Sequence, residues 1–312
     1  MEEVVKFEQT ILANLTEDGK LLDLEDKNIG PDELRLLCEA EDLSSVEQLY
    51  LSQNQLCGES IEILSQVKGL TGLRSLYLNH NIIGDEEAKV LANAEILQNL
   101  KCLMLEANNI GPQGAEMLVN SPNLKNLEIL FLDSNPIGPE GARAVARSEQ
   151  LPRLQALHLD STRIGDEGIQ AIAESPNLTG LTKLYLCSNK MGDAGAIALA
   201  KSESLRNLIV LSIWRNEIRD EGGKALAESP NFMNLERLYM SLNLFERPVR
   251  KIIRSSELAK RLTTLVMDLF MTEPKQEYKF TYSRFFNVFF HVGVIFNVVL
   301  VIWMILVFTE VL

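Results

Sequence analysis

The side chains of this chain best suited to chemistry are its three histidines, His80, His158 and His291, and its four cysteines, Cys38, Cys57, Cys102 and Cys187. A hydrolytic centre needs a nucleophile, a base within reach and an acid that orients the base, whereas a metal needs three or four convergent ligands. Around His158 the sequence offers Asp133 and Asp160 as acids and Ser134 and Ser161 as hydroxyls. The cysteines are too few and too scattered for a disulfide framework and include no close pair for zinc, so a reducing compartment is the simpler expectation. Two sequons, Asn14-Leu-Thr16 and Asn177-Leu-Thr179, accept glycans only in a secreted chain, and the start MEEVVKFEQT lacks the basic flank and apolar run of a secretory signal.

What positions these residues is a repeat. The spacing Leu73, Leu76, Leu78, Asn81, Ile83, Gly84 returns as Leu100, Leu103, Leu105, Asn108, Ile110, Gly111 and again as Leu127, Leu130, Leu132, Asn135, Ile137, Gly138. The Asn slot recurs at Asn54, Asn81, Asn108, Asn135, Asn189, Asn216 and Asn243, always in steps or double steps of 27, with Thr162 in the one gap and Lys27 in the first phase. Leu76 and Leu78 alternate onto one face of a short strand, and the Asn three residues on is placed to satisfy backbone groups where the strand ends. The Ile-Gly turn leads into segments such as DEEAKVLANAE, whose Ala88, Leu91 and Ala92 have helical spacing. Asp85, Asp166, Asp193 and Asp220 are placed to cap or favour a helix start, and Pro112 and Pro139 suit a first turn. Glycines recurring at 114, 141, 168, 195 and 222 point to close approach between neighbouring helices, and Ser-Pro-Asn connectors mark the turn into the next strand.

This pattern resembles the leucine-rich repeat family, specifically its ribonuclease-inhibitor-like class, over residues 21 to 270. The resemblance implies an α/β fold: a right-handed solenoid with parallel strands on the concave face and helices on the convex one. Residues 1–20 read as an N-terminal cap, 21–245 as repeats, and 246–281 as a degenerate repeat, cap and linker. An open sheet lacks the water-excluding pocket that gives the His158 group catalytic strength, so no enzyme, cofactor or metal is expected.

The side chains on the strand face away from the helices follow from the phase. Between the strand leucines stand Tyr50, Tyr77, Met104, Phe131, His158, Tyr185, Ser212, Tyr239 and Val266, of which five are Tyr or Phe in a chain only 6% aromatic. Two residues on come Ser52, Asn79, Glu106, Asp133, Asp160, Cys187, Trp214, Ser241 and Asp268. Tyr77, Phe131, His158, Tyr185, Trp214 and Tyr239, beside the acidic strip of Glu106, Asp133 and Asp160, suit a protein partner with apolar anchors and basic surface. The net charge is -13, from 30 Lys and Arg against 43 Asp and Glu, which argues against a general nucleic-acid binder. Ran GTPase-activating proteins share the repeat class, so the resemblance also implies regulation of a small GTPase as the alternative function. Arg163 and Arg219 lie near turns, but no family motif carries an activating arginine onto either. A structural scaffold is the remaining alternative, and the pattern does not fix an oligomeric state.

From Phe285 to Phe308 the chain reads FFNVFFHVGVIFNVVLVIWMILVF, without a formally charged residue. A helix of that length spans about 36 Å, enough for a bilayer core of about 30 Å. Lys275, Lys279 and Arg284 precede it and no cation follows, which resembles a tail-anchored arrangement with the repeats in the cytoplasm. The expectation is thus a single-pass membrane protein that binds another protein through its repeat face.

Overall fold

The computed structural model describes residues 10–11, 13–39 and 43–267. The apolar span expected at 285–308, residues 268–281 of the linker and half of the N-terminal cap lie outside the described residues. Among the described residues no helix is long and apolar enough to cross a membrane.

Ten strands form one parallel sheet in chain order: β1 (Leu21–Asp23), β2 (Gln48–Tyr50), β3 (Ser75–Tyr77), β4 (Cys102–Met104), β5 (Ile129–Phe131), β6 (Ala156–His158), β7 (Lys183–Tyr185), β8 (Val210–Ser212), β9 (Arg237–Tyr239) and β10 (Thr264–Val266). The helices between them are α1 (Pro31–Glu39), α2 (Gly58–Ser65), α3 (Asp85–Ala92), α4 (Pro112–Val119), α5 (Gly138–Arg147), α6 (Gly165–Ala173), α7 (Asp193–Lys201) and α8 (Asp220–Ala227), then α9 (Arg247–Ser255) and α10 (Glu257–Arg261) before the last strand. The register never slips: Leu76 pairs with Leu103, Leu103 with Leu130 and Leu130 with Leu157. Strands stack about 4.8 Å apart while packed helices need about 8–10 Å, so the sheet lies on the inside of the curve. Between the layers the strand leucines Leu49, Leu76, Leu103, Leu130, Leu157, Leu184 and Leu211 are fully buried, and the helices contribute residues such as Ala88, Leu91, Leu118 and Leu199.

Hydrogen-bond ladders bind each repeat to the next. The Asn81 amide donates to the carbonyls of Leu51 and Leu78, and its Oδ1 accepts the N–H groups of Asn54 and Leu56. Asn54, Asn189 and Asn216 do the same, so the Asn slot has the role its position predicted. On the helix side Ser175 and Ser229 donate to Ala146 and Ala200 of the preceding repeat at 2.6 Å, while accepting the N–H of Asn177 and Asn231. These bonds satisfy buried polar backbone at the repeat boundaries.

The aspartates at the helix starts serve two helices. Asp85, Asp166 and Asp193 sit in the first turns of their own helices and cap the helix of the following repeat. Asp85 Oδ1 accepts the N–H groups of Gly111 and Gly114, Asp166 those of Gly192 and Gly195, and Asp193 those of Arg219 and Gly222. Asp220 reaches Glu246 in the same way. The close approach requires glycine at 114, where a Cβ would lie 2.6 Å from Asp85 Oδ1 and 2.9 Å from its Cα.

Candidate functional site

Because the register is constant, every residue type repeated at 27 becomes a column on the strand face. The central column stacks its rings: Tyr50 on Tyr77 at 3.9 Å, then Phe131 on His158 at 3.6 Å and His158 on Tyr185 at 4.0 Å. The interplanar angles of 7°, 22° and 14° show that the rings lie nearly face to face, at the spacing the strands impose. Met104 separates the two ring groups, and Ser212 separates Tyr185 from Tyr239, the next ring in register. Tyr77, Phe131, His158, Tyr185 and Tyr239 are all half-buried. Stacking occupies ring faces, so an approaching partner meets largely edges of this column.

The column two residues further along each repeat differs from the outward acidic strip that the phase predicts: Asp133 is 9% exposed, and Glu106 and Asp160 are half-buried. The cause lies in the backbone. At this position the N–H points back to a repeat whose strand has already turned away, and a side chain there supplies the acceptor. Ser52 Oγ accepts the N–H of Asn79, Asn79 Oδ1 that of Glu106, Asp133 Oδ1 that of Asp160, and Asp160 Oδ1 that of Cys187. Cys187 Sγ then lies 3.1 Å from Ser212 Oγ. Acidic, amide and hydroxyl side chains are interchangeable here because each offers an oxygen.

Burial dominates the protonation of these groups. It raises the carboxyl of Asp133 well above the usual range, helped by the neighbouring Asp160, and raises Asp160 to about 6. Glu106 moves the same way. His158 is lowered to about 3 by burial and by Lys183, so it is neutral at physiological pH. Its Nδ1 lies 3.7 Å from Asp133 Oδ2. His158 is therefore a flat ring inside the stack, and the hydroxyl-bearing Ser134 and Ser161 stand in the loops beyond, both with left-handed backbone at φ 57° and 58°. Among the described residues no group of three or more His, Cys, Asp or Glu is arranged to hold a metal. Cys102 and Cys187 are buried, and burial pushes the Cys102 thiol up to about 12.

Trp214 differs from its column neighbours in being 38% exposed. Beyond it, the loops that follow β6, β7 and β8 carry exposed Arg163, Lys190 and Arg215. A shallow depression at this edge is lined by Ser161, Ser188, Lys190, Arg215, Asn216, Glu217 and Leu242. Reading the phase only within the strands missed Lys190 and Arg215; carrying the same columns a few residues further would have found them.

The geometry of parallel strands, asparagine ladders and stacked helices is that of a leucine-rich-repeat solenoid. The family profile described as "Leucine Rich repeat" matches residues 97–119, 123–146, 151–173, 177–200 and 204–227, the central part of the array. Among curated proteins none matches the sequence. Among solved structures, a plant peptide hormone receptor, RGFR1 in complex with RGF2, is similar with a TM-score of 0.41 and 19% identity, over 75% of this chain and 33% of that one. The chain spans about a third of that structure's length.

Proposed function

We propose that this protein is a non-enzymatic interaction module of the ribonuclease-inhibitor-like repeat class, held at a membrane by residues 285–308, with the repeats on the cytoplasmic side. The observation that carries the interaction reading is the column of rings Tyr50, Tyr77, Phe131, His158 and Tyr185 on the side of the sheet that no helix among the described residues covers. The 27-residue period and the regular helix in each central repeat support the repeat class. A regular array gives a partner many contact points without a chemical centre, and its side chains lose little freedom on binding because stacking and ladders already hold them.

The test is capture of a binding partner on full-length protein, followed by replacement of face residues. Tyr77→Ala and Tyr239→Ala together, and Trp214→Ala alone, are each expected to weaken retention by at least about tenfold, the loss typical of an interface anchor. Unchanged retention with both replacements, in protein whose melting temperature is also unchanged, would move the binding surface away from this face.

A further inference from the structure

The strand face leaves one charged surface unassigned, the edge where β6, β7 and β8 run into their loops. Arg163, Lys190 and Arg215 are exposed there, fixed in left-handed backbone with φ of 62°, 59° and 55°. No ion pair joins any of the three to a carboxylate among the described residues, whereas Lys89, Arg143 and Arg206 on the helix side pair with Glu86, Glu140 and Glu203. The depression that Lys190 and Arg215 line contains one acid, Glu217. Its amide-bearing residue, Asn216, is already engaged with Leu186 and Ile213, so the cations and the serine hydroxyls remain for a ligand. Apolar surface adjoins them: Trp214 is 38% exposed and Leu242 is 42% exposed.

In a chain of net charge -13, cations without carboxylate partners beside exposed apolar side chains favour an anionic partner by charge complementarity. We propose that this edge docks an acidic segment of a partner protein, its carboxylates on Arg163, Lys190 and Arg215 and an apolar side chain against Trp214 and Leu242. The inference rests on the interaction reading above and specifies the partner's charge. That charge is opposite to the one expected from Glu106, Asp133 and Asp160, because the structure turns Asp133 and Asp160 to its own backbone.

The test uses the full chain in detergent and a fluorescein-labelled dodecapeptide of Glu and Asp with one central Leu, followed by anisotropy. The acidic peptide is expected to bind, its counterpart with Lys at every acidic position is not, and added salt should weaken the complex. The triple variant Arg163→Glu, Lys190→Glu, Arg215→Glu should bind at least about tenfold less tightly, given the strength of charge-assisted contacts. The same charge change at the exposed Arg147, Arg153 and Lys201, which end α5 and α7 or precede β6 and lie outside the loops that follow β6, β7 and β8, should leave binding within about twofold. Equal losses in the two triple variants, equal binding of the lysine peptide, or complete displacement by millimolar inorganic phosphate would each overturn the proposal. So would sedimentation showing that the edge variant loses self-association while no peptide binds, which would make a second copy the occupant. If a captured partner is released by the tyrosine replacements but ignores the edge variant, the interaction reading stands and the edge assignment falls.

Discussion

His158 and Asp160 stand two residues apart and respond to one burial in opposite ways. The ring stays neutral because its charged form is disfavoured, whereas the carboxyl holds its proton up to about pH 6 for the same reason. For Asp160 the folded state binds the proton more tightly than the unfolded chain, so its ionisation costs stability as pH rises from about 4 to about 6. For His158 the sign is reversed: its neutral burial favours the fold above the unfolded value of 6.5, and that contribution fades as pH falls toward about 3. Asp160→Asn keeps an oxygen for the Cys187 N–H and removes the ionisation. It should therefore raise stability at pH 7.5 by on the order of 1–3 kcal/mol and change little at pH 4. Urea unfolding at both pH values checks this, and a variant less stable at both would show that the charge is needed. The sequence places Asp133 and Asp160 on the correct face and adjacent strands. What it does not reveal is their burial, because alternation fixes which way a side chain points and not how far its neighbours, less than 5 Å away, close over it.

Between residue and solenoid the informative unit is the helix start. Wherever the slot of Asp85 holds Asp, the next helix begins with its N–H groups bound to that carboxylate. Pro112 and Pro139 occupy the same slot in two consecutive repeats and offer no acceptor. There the following glycines, Gly138 and Gly165, take φ of 62° and 58° and turn their N–H groups to the carbonyls of Thr162 and Asn189 instead. The proline and the altered turn one repeat later are thus one adaptation. Asp85→Ala should cost about 1–2 kcal/mol by leaving Gly111 and Gly114 without their acceptor, whereas Glu86→Ala, which removes an exposed pair with Lys89, should cost under about 0.5 kcal/mol. Equal effects in denaturant titrations would argue against capping across the repeat boundary. The repeat, the strand positions and the close-packed glycines were legible because each is a periodic choice of residue type. The direction of capping was not, since a carboxylate's reach into the next repeat depends on how far the helices separate as the array curves.

Across the whole molecule, sameness of register makes function a matter of columns. Each repeat meets only its neighbours, so a rigid face is assembled from units that bury little alone, and a binding surface extends by adding phases instead of folding a pocket. Such a surface gains from being held where its partner is concentrated. We propose that role for residues 285–308, whose uncharged length matches a bilayer. Full-length protein should remain in the membrane fraction through high salt and alkaline carbonate and leave it only with detergent, while a chain ending at Glu273 should appear in the supernatant. Salt removes charge-driven contacts and carbonate removes peripheral proteins, so only burial of about twenty apolar residues in lipid withstands both. Release of the full-length chain by either wash would detach the interaction module from the membrane and leave the ring column and basic edge to meet their partner in solution.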